Sequence, residues 1–466
     1  ATISGNTSIA AGTFMTGTST ITFGDAAGDS VTISGGTLKI ESDNTSVDIV
    51  KNAGTWTNSG GTIKYAAGTA VSTALLSSIS SYYDLTIDSP GSTYTLNGAI
   101  DVNNDLTITN GTLDTSSGNN YGITLGGDWS NAGTFTARLG TFNFDGSADQ
   151  TVTTAGQAFY NVTLNNAGAS GSDDIVISGA LDINGNLTIT DGDLDIDTND
   201  PNVNLAGNLS IGANGSVDAG SGTWTFDGTS SGWSDATSGQ DIGAVIVNGT
   251  ASTVTTSSNV TATSITIAGD DTLNIEDDTL TLTGTGTPLV VTGTLITTDS
   301  TVVYAGSGAN TTVATYAYNN LTFTPTVATT YLLSGNLTGA NAVAGNLTIS
   351  SSATLDVVSG SNYGIEVKGN WSNSGAFTSR TGTVTFSDAS KVSALTGSTT
   401  FYNLTSSTAG KTLQFAAGST QTITGALTFT GALGNLLVLQ SSTDGTAWNI
   451  DPQGTRTITY VNFKDA

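Results

Sequence analysis

The residues of this chain whose types and spacing could do chemistry are its acidic clusters. They are Asp173-Asp174, the run Asp191-Gly192-Asp193-Leu194-Asp195-Ile196-Asp197, and Asp270-Asp271 followed by Glu276-Asp277-Asp278. In the run, carboxylates alternate with other residues, so an extended strand points Asp191, Asp193, Asp195 and Asp197 to one face. A neighbouring segment could then complete an oxygen cage for Ca2+, a hard cation that takes oxygen ligands. The spacing matches neither an EF-hand loop nor a Gly-Gly-x-Gly-x-Asp repeat. A row of solvated carboxylates is the plainer reading of the same residues.

A second candidate is aromatic. Asn120-Tyr121-Gly122-Ile123, Gly127-Asp128-Trp129-Ser130-Asn131 and Gly133-Thr134-Phe135 return as Asn362-Tyr363-Gly364-Ile365, Gly369-Asn370-Trp371-Ser372-Asn373 and Gly375-Ala376-Phe377. Arg138 and Arg380 match as well, and Gly54-Thr55-Trp56-Thr57-Asn58 is a shorter echo. A Trp beside Asn can stack on a sugar ring, which makes Trp129 and Trp371 a possible glycan platform. The competing reading is that Trp and Phe plug wide coils while Asn and Gly turn the corners. The way the strings keep step with the repeat favours that one.

Other chemistry is excluded by what the sequence lacks. With no Cys there is no thiol nucleophile, disulfide or thiolate site. With no His the commonest general base and zinc ligand is gone. Paired carboxylates can hydrolyse glycosides, but no pair stands apart from the repeat, so no catalytic residue is assigned and no enzymatic activity is expected. The formal charge of −27, from 37 acidic against 10 basic residues, opposes nucleic acid and anionic membranes. No run approaches the roughly 18 apolar residues that suggest a membrane span, so no membrane insertion is expected. The N-terminus Ala1-Thr2-Ile3-Ser4-Gly5 has no signal-peptide pattern. Low Lys, absent Cys and abundant Thr, Asn and Gly nevertheless suit an extracellular location, with an export signal removed or outside the chain.

The elements that must carry these residues are short strands. A tetrad of Thr, apolar, variable and aromatic residues occurs seven times, ending on Phe23, Tyr65, Phe144, Phe226, Tyr304, Phe386 and Tyr460. From the second copy onward the aromatics lie about 80 residues apart. A second marker, Leu85, Val162, Val245, Leu321 and Leu404, keeps step with the tetrads at nearly the same interval. Strips such as Leu106-Thr107-Ile108, Leu187-Thr188-Ile189 and Leu347-Thr348-Ile349 alternate apolar with Thr and break at Gly, Asn or Asp, the pattern of strands and turns. Asn-x-Ser/Thr triplets at Asn161, Asn186, Asn320, Asn346 and Asn403 belong to the same vocabulary and are also glycosylation acceptors in form.

Finer punctuation at about 20 residues suggests three short strands and three turns per coil. The expected fold is all-β, a right-handed parallel β-helix (β-solenoid) of about 20 residues per coil. Residues 1–466 then form a single continuous solenoid, with long repeats at approximately 1–80 (irregular), 81–157, 158–240, 241–316, 317–400 and 401–466 (partial). A string of antiparallel sandwich domains is the alternative; it predicts linkers and regular hairpin dipeptides that the strips do not show. One coil cannot offset its own ordering entropy, so stability comes from stacking. Neither end reads as a cap.

The Gly-Asn-Leu-Thr-Ile and Gly-Asn-Trp-Ser-Asn-x-Gly vocabulary resembles that of large repetitive β-helical surface proteins of bacteria and archaea, including filamentous-haemagglutinin-like and autotransporter-like adhesins. The resemblance implies export, a rod-like solenoid and a role in adhesion, matrix or fibre formation, and carries over no catalytic residue. The expected function is a non-enzymatic extracellular structural protein that associates with copies of itself in a filament or surface layer. A glycan-binding adhesin is the alternative. No cofactor is expected apart from a possible Ca2+.

Overall fold

The computed structural model describes residues 2–43, 49–51, 54–75, 79–237 and 239–465; Ala1 and Ala466, the outer bounds of the expected solenoid, lie outside them. The described residues form short strands joined by turns, with one 3-10 turn at Gly339–Asn341 and no α-helix among them. Parallel strands stack as a β-solenoid of about 20 turns, roughly 22 residues apart. That spacing is a little wider than the coil expected from the sequence. The difference comes from long coils, such as those that carry Val162 to its register partner Leu187 and Leu321 to Leu347. A loop over 166–173 lengthens the first and the 3-10 turn lengthens the second.

The chain divides into two compact units, Ala1–Thr237 and Ser238–Ala466. In the first, one inward column runs Leu38, Ile63, Leu85, Leu106, Trp129 and Val152, each the register partner of the next. In the second, a ten-stranded parallel sheet takes one strand from each coil, from Val260–Ala262 to Val461–Lys464. Its inward column runs Leu280, Val302, Leu321, Leu347, Trp371 and Leu395. These side chains are buried, while the Thr and Ser between them face outward. Each buried Leu, Ile or Val contributes about 1.5–3 kcal/mol over its exposed state, and this column is what positions everything on the coil surface.

The tetrads sit where the sequence places them. Phe23, Tyr65, Phe144, Phe226, Tyr304 and Phe386 are buried together with the apolar residues two positions before them. The second sequence marker proves to be the next rung on the tetrad: Ile63 pairs with Leu85, Phe142 with Val162, Val302 with Leu321, and Val384 with Leu404. The seventh copy is different. Ile458 is 41% and Tyr460 51% exposed, so the expectation of an interior aromatic fails there. Their rung, made of Asn449–Pro452, Arg456–Thr459 and Val461–Lys464, has no further rung over it among the described residues.

Candidate functional site

The two Trp strings are the same structure built twice, once in each unit. Trp129 and Trp371 follow turn residues and open short strands, Trp129–Asn131 and Trp371–Asn373, whose alternation sends the indole inward. Phe135 meets Trp129 edge-on at 5.0 Å, and Phe377 meets Trp371 at 5.0 Å. At the adjoining corner Arg138 donates from Nε and Nη2 to Asp114 at 3.0 and 2.7 Å, and Arg380 does so to Asp356 at 3.1 and 2.7 Å. Each guanidinium holds its partner carboxyl below the usual carboxylate range. Both Arg residues have positive φ, 49° and 48°, in turns closed by Asn120 and Asn362, which accept the Leu139 and Thr381 amides.

This geometry removes the possible glycan platform at Trp129 and Trp371 and agrees with the favoured reading of them as core plugs. The two side chains are 1% and 0% exposed and offer no ring face to a sugar. They fill the core, and stacking on a ligand needs an accessible face. The echo differs. Trp56 is half-buried and lines a cavity of about 280 Å3 with Asn58, Ser80 and Ser81. The Trp56 Nε1 and Asn58 Nδ2 donors have no partner among the described residues.

The acidic run is also rearranged. Asp191, Asp193 and Asp195 lie on the strand Leu187–Asp195, but Asp195 is buried and Asp197 lies beyond the strand in an exposed turn. Burial opposes the Asp195 charge, yet the Thr198 hydroxyl at 2.6 Å and the Asp197 and Thr198 amides outweigh it and hold this carboxyl low. Asp191 accepts the Gly192 amide at 3.2 Å. The four carboxylates therefore do not converge, because a turn begins at Asp195 and claims it.

Asp193 instead meets the previous coil, where its register partner is Asp174. One carboxylate oxygen each from Asp173, Asp174 and Asp193 lies within 4.8 Å of the others. Burial, followed by the charges of Asp173, Asp218 and Asp174, pushes Asp193 up to about 6. Burial and then the Asp149 charge raise Asp174 as well. Asp173 accepts the Gly171 amide at 2.9 Å. This trio is the set that could hold a divalent cation, three oxygens short of the six or so that Ca2+ takes. The sequence showed both halves of it, Asp173-Asp174 and Asp193, without showing that one turn of the solenoid stacks them.

The Asn-x-Ser/Thr triplets have a structural task that the sequence reading missed. The amide N–H of Asn186 donates to Asn161 Oδ1 at 3.0 Å and that of Asn208 to Asn186 Oδ1 at 2.9 Å. In the second unit the Asn346, Asn370 and Ala394 amides donate to Asn320, Asn346 and Asn370 at 3.0, 2.9 and 2.8 Å. Asp105 and Asp128 do the same in the first unit, accepting the Asp128 and Thr151 amides at 2.9 and 2.7 Å. The signal was there in the fixed place of Asn or Asp just before the Leu-Thr or Trp-Ser step.

These features define a parallel β-solenoid repeat protein whose recurrent polar residues tie coil to coil. No family model, curated protein or solved structure matches the chain.

Proposed function

We propose that this chain is a non-enzymatic extracellular structural protein that self-associates, rung on rung, into a filament or surface layer. One observation carries the reading. The tetrad Thr457-Ile458-Thr459-Tyr460 has the composition that is buried in the six earlier copies, yet Ile458, Tyr460 and nearby Phe463 are 41%, 51% and 45% exposed. Leu433 and Leu436, before the strand of the preceding coil, are exposed as well. Ile458 and Phe463 continue the inward columns of Phe429 and Leu439, so a further rung of the same pattern stacks on them. A second copy supplies strands of the same vocabulary, and a head-to-tail contact that does not close propagates as a fibre. Composition and the likeness to repetitive β-helical adhesins support an extracellular setting.

Electron microscopy and sedimentation across a concentration series test it. Association that rises with concentration and is lost in Ile458→Lys/Tyr460→Asp is expected. A wild-type chain that stays monomeric throughout overturns the reading, as does a longer form of the chain whose added rungs cover Ile458 and leave it monomeric.

Glycan binding is the second reading, and Trp56 is what favours it. Its half-buried ring lines a polar cavity together with Asn58, in a chain whose negative charge disfavours anions and suits neutral polyols. A glycan array on which wild type binds and Trp56→Ala does not supports it; a blank array for both removes it.

A further inference from the structure

Basic residues are few, and three of them, Lys368, Lys391 and Lys411, stand on consecutive coils of the second unit. Lys411 is 0% exposed. Its ammonium donates to Ser393 Oγ at 2.7 Å, to the Lys391 carbonyl at 2.8 Å and to the Asp388 carbonyl at 3.1 Å. The Lys368 carbonyl stands at 3.5 Å from the same atom. These four oxygens come from the two preceding coils. No carboxylate is among them: Asp388 Oδ2 lies 4.0 Å from Lys391 Nζ, whose hydrogen bond goes to the Ala344 carbonyl at 2.8 Å.

An isolated buried ammonium is expensive, and the group would normally be paired with an anion. Here neutral oxygens converge instead, three at hydrogen-bond distance for the three donors that an ammonium has. Burial draws the Lys411 amine down to about 8, against the attraction of Asp388 and with the repulsion of Lys391, so the charged form still predominates at neutral pH. Convergent carbonyl and hydroxyl oxygens around one positive centre are the chemistry of a monovalent-cation site, built to replace the ion's hydration shell.

We propose that this oxygen cage is a monovalent-cation site of the fold which the chain fills with its own ammonium. The tethered cation joins the coils carrying Lys368, Asp388–Ser393 and Lys411, and it does so independently of the surrounding salt. Shortening the side chain empties the cage for a free ion of similar size.

The full chain carrying Lys411→Ala tests this. Variant and wild type are refolded in ammonium, potassium or tetramethylammonium chloride at matched ionic strength, and melting is followed by circular dichroism. The variant is expected to melt lower than wild type in tetramethylammonium and to recover saturably with ammonium or potassium, while wild type responds alike to all three. A folded variant whose melting is the same in all three salts overturns the proposal. Folding of the variant in ammonium alone supports it. Ser393→Ala keeps Lys411 and deletes the 2.7 Å oxygen. It is expected to lower the melting temperature and to increase labelling of Lys411 by an amine-reactive reagent. If Lys411→Ala folds in none of the salts, that variant decides: unchanged melting and labelling in Ser393→Ala overturn the cage.

Discussion

Thr399 separates two otherwise matching aromatic corners. Its hydroxyl accepts Trp371 Nε1 at 3.2 Å and Asn373 Nδ2 at 3.1 Å. In the first unit the corresponding position is Gln157, and Trp129 Nε1 and Asn131 Nδ2 have no partner among the described residues. Thr399→Val keeps the shape and orphans both donors, so it should cost about 1–3 kcal/mol by denaturant unfolding. Trp371→Phe should likewise cost more than Trp129→Phe, since only the first breaks a bond. Asp193 gives a pH test. Its folded value of about 6 lies above the unfolded value of about 3.9, so its stabilising contribution is complete below about 3.9 and is lost as pH rises through 6. In chelator, Asp193→Asn should raise the melting temperature at pH 7.5 and leave it unchanged near pH 4; equal effects at both pH values would refute this. The sequence identified these residues as special but not their direction. Trp beside Asn reads alike whether the ring faces a sugar or a core, because strand phase decides, and the turn that sets the phase lies several residues away.

The strand and its preceding turn are the next scale up. The alternating Leu-Thr-Ile strips were legible as strands because a period of two in half-buried residues has few other outcomes. The coil length was less legible, since a loop can grow by several residues without disturbing the rung on either side. The Asn and Asp ladders went unread for a related reason: a side chain accepting an amide from the next coil leaves no local trace beyond its own recurrence. Asn346 is the middle of one such ladder, accepting from Asn370 N–H at 2.9 Å while its own N–H donates to Asn320. Asn346→Ala removes the first of these bonds and should cost about 1 kcal/mol, with faster amide exchange at Asn370 than at the backbone N–H of position 346, whose own bond to Asn320 is kept. Equal protection at the two amides would show that the ladder adds nothing.

For the whole molecule, stacking and charge oppose each other. A formal charge of −27 makes carboxylates on neighbouring coils repel, as at Asp173, Asp174 and Asp193. Raising ionic strength from about 0.01 M to about 0.15 M shortens the screening length from about 30 Å to about 8 Å, so both the melting temperature and self-association should increase. A melting temperature that falls over this range would mean that ion pairs such as Arg138–Asp114 outweigh the repulsion. The repeat architecture was legible at this scale because its period survives in aromatics that cannot be exchanged freely. The correspondence of Arg138 with Arg380 bears on ancestry. The two corners share residue type, backbone φ and ion-pair partner, so a splice from Arg138 to Thr381 joins one half of a corner to the matching half of its twin. A gene that recombines between such twins would lose or gain the whole stretch between them without inventing a new turn, so a chain built this way can change length in whole blocks while the local chemistry stays the same.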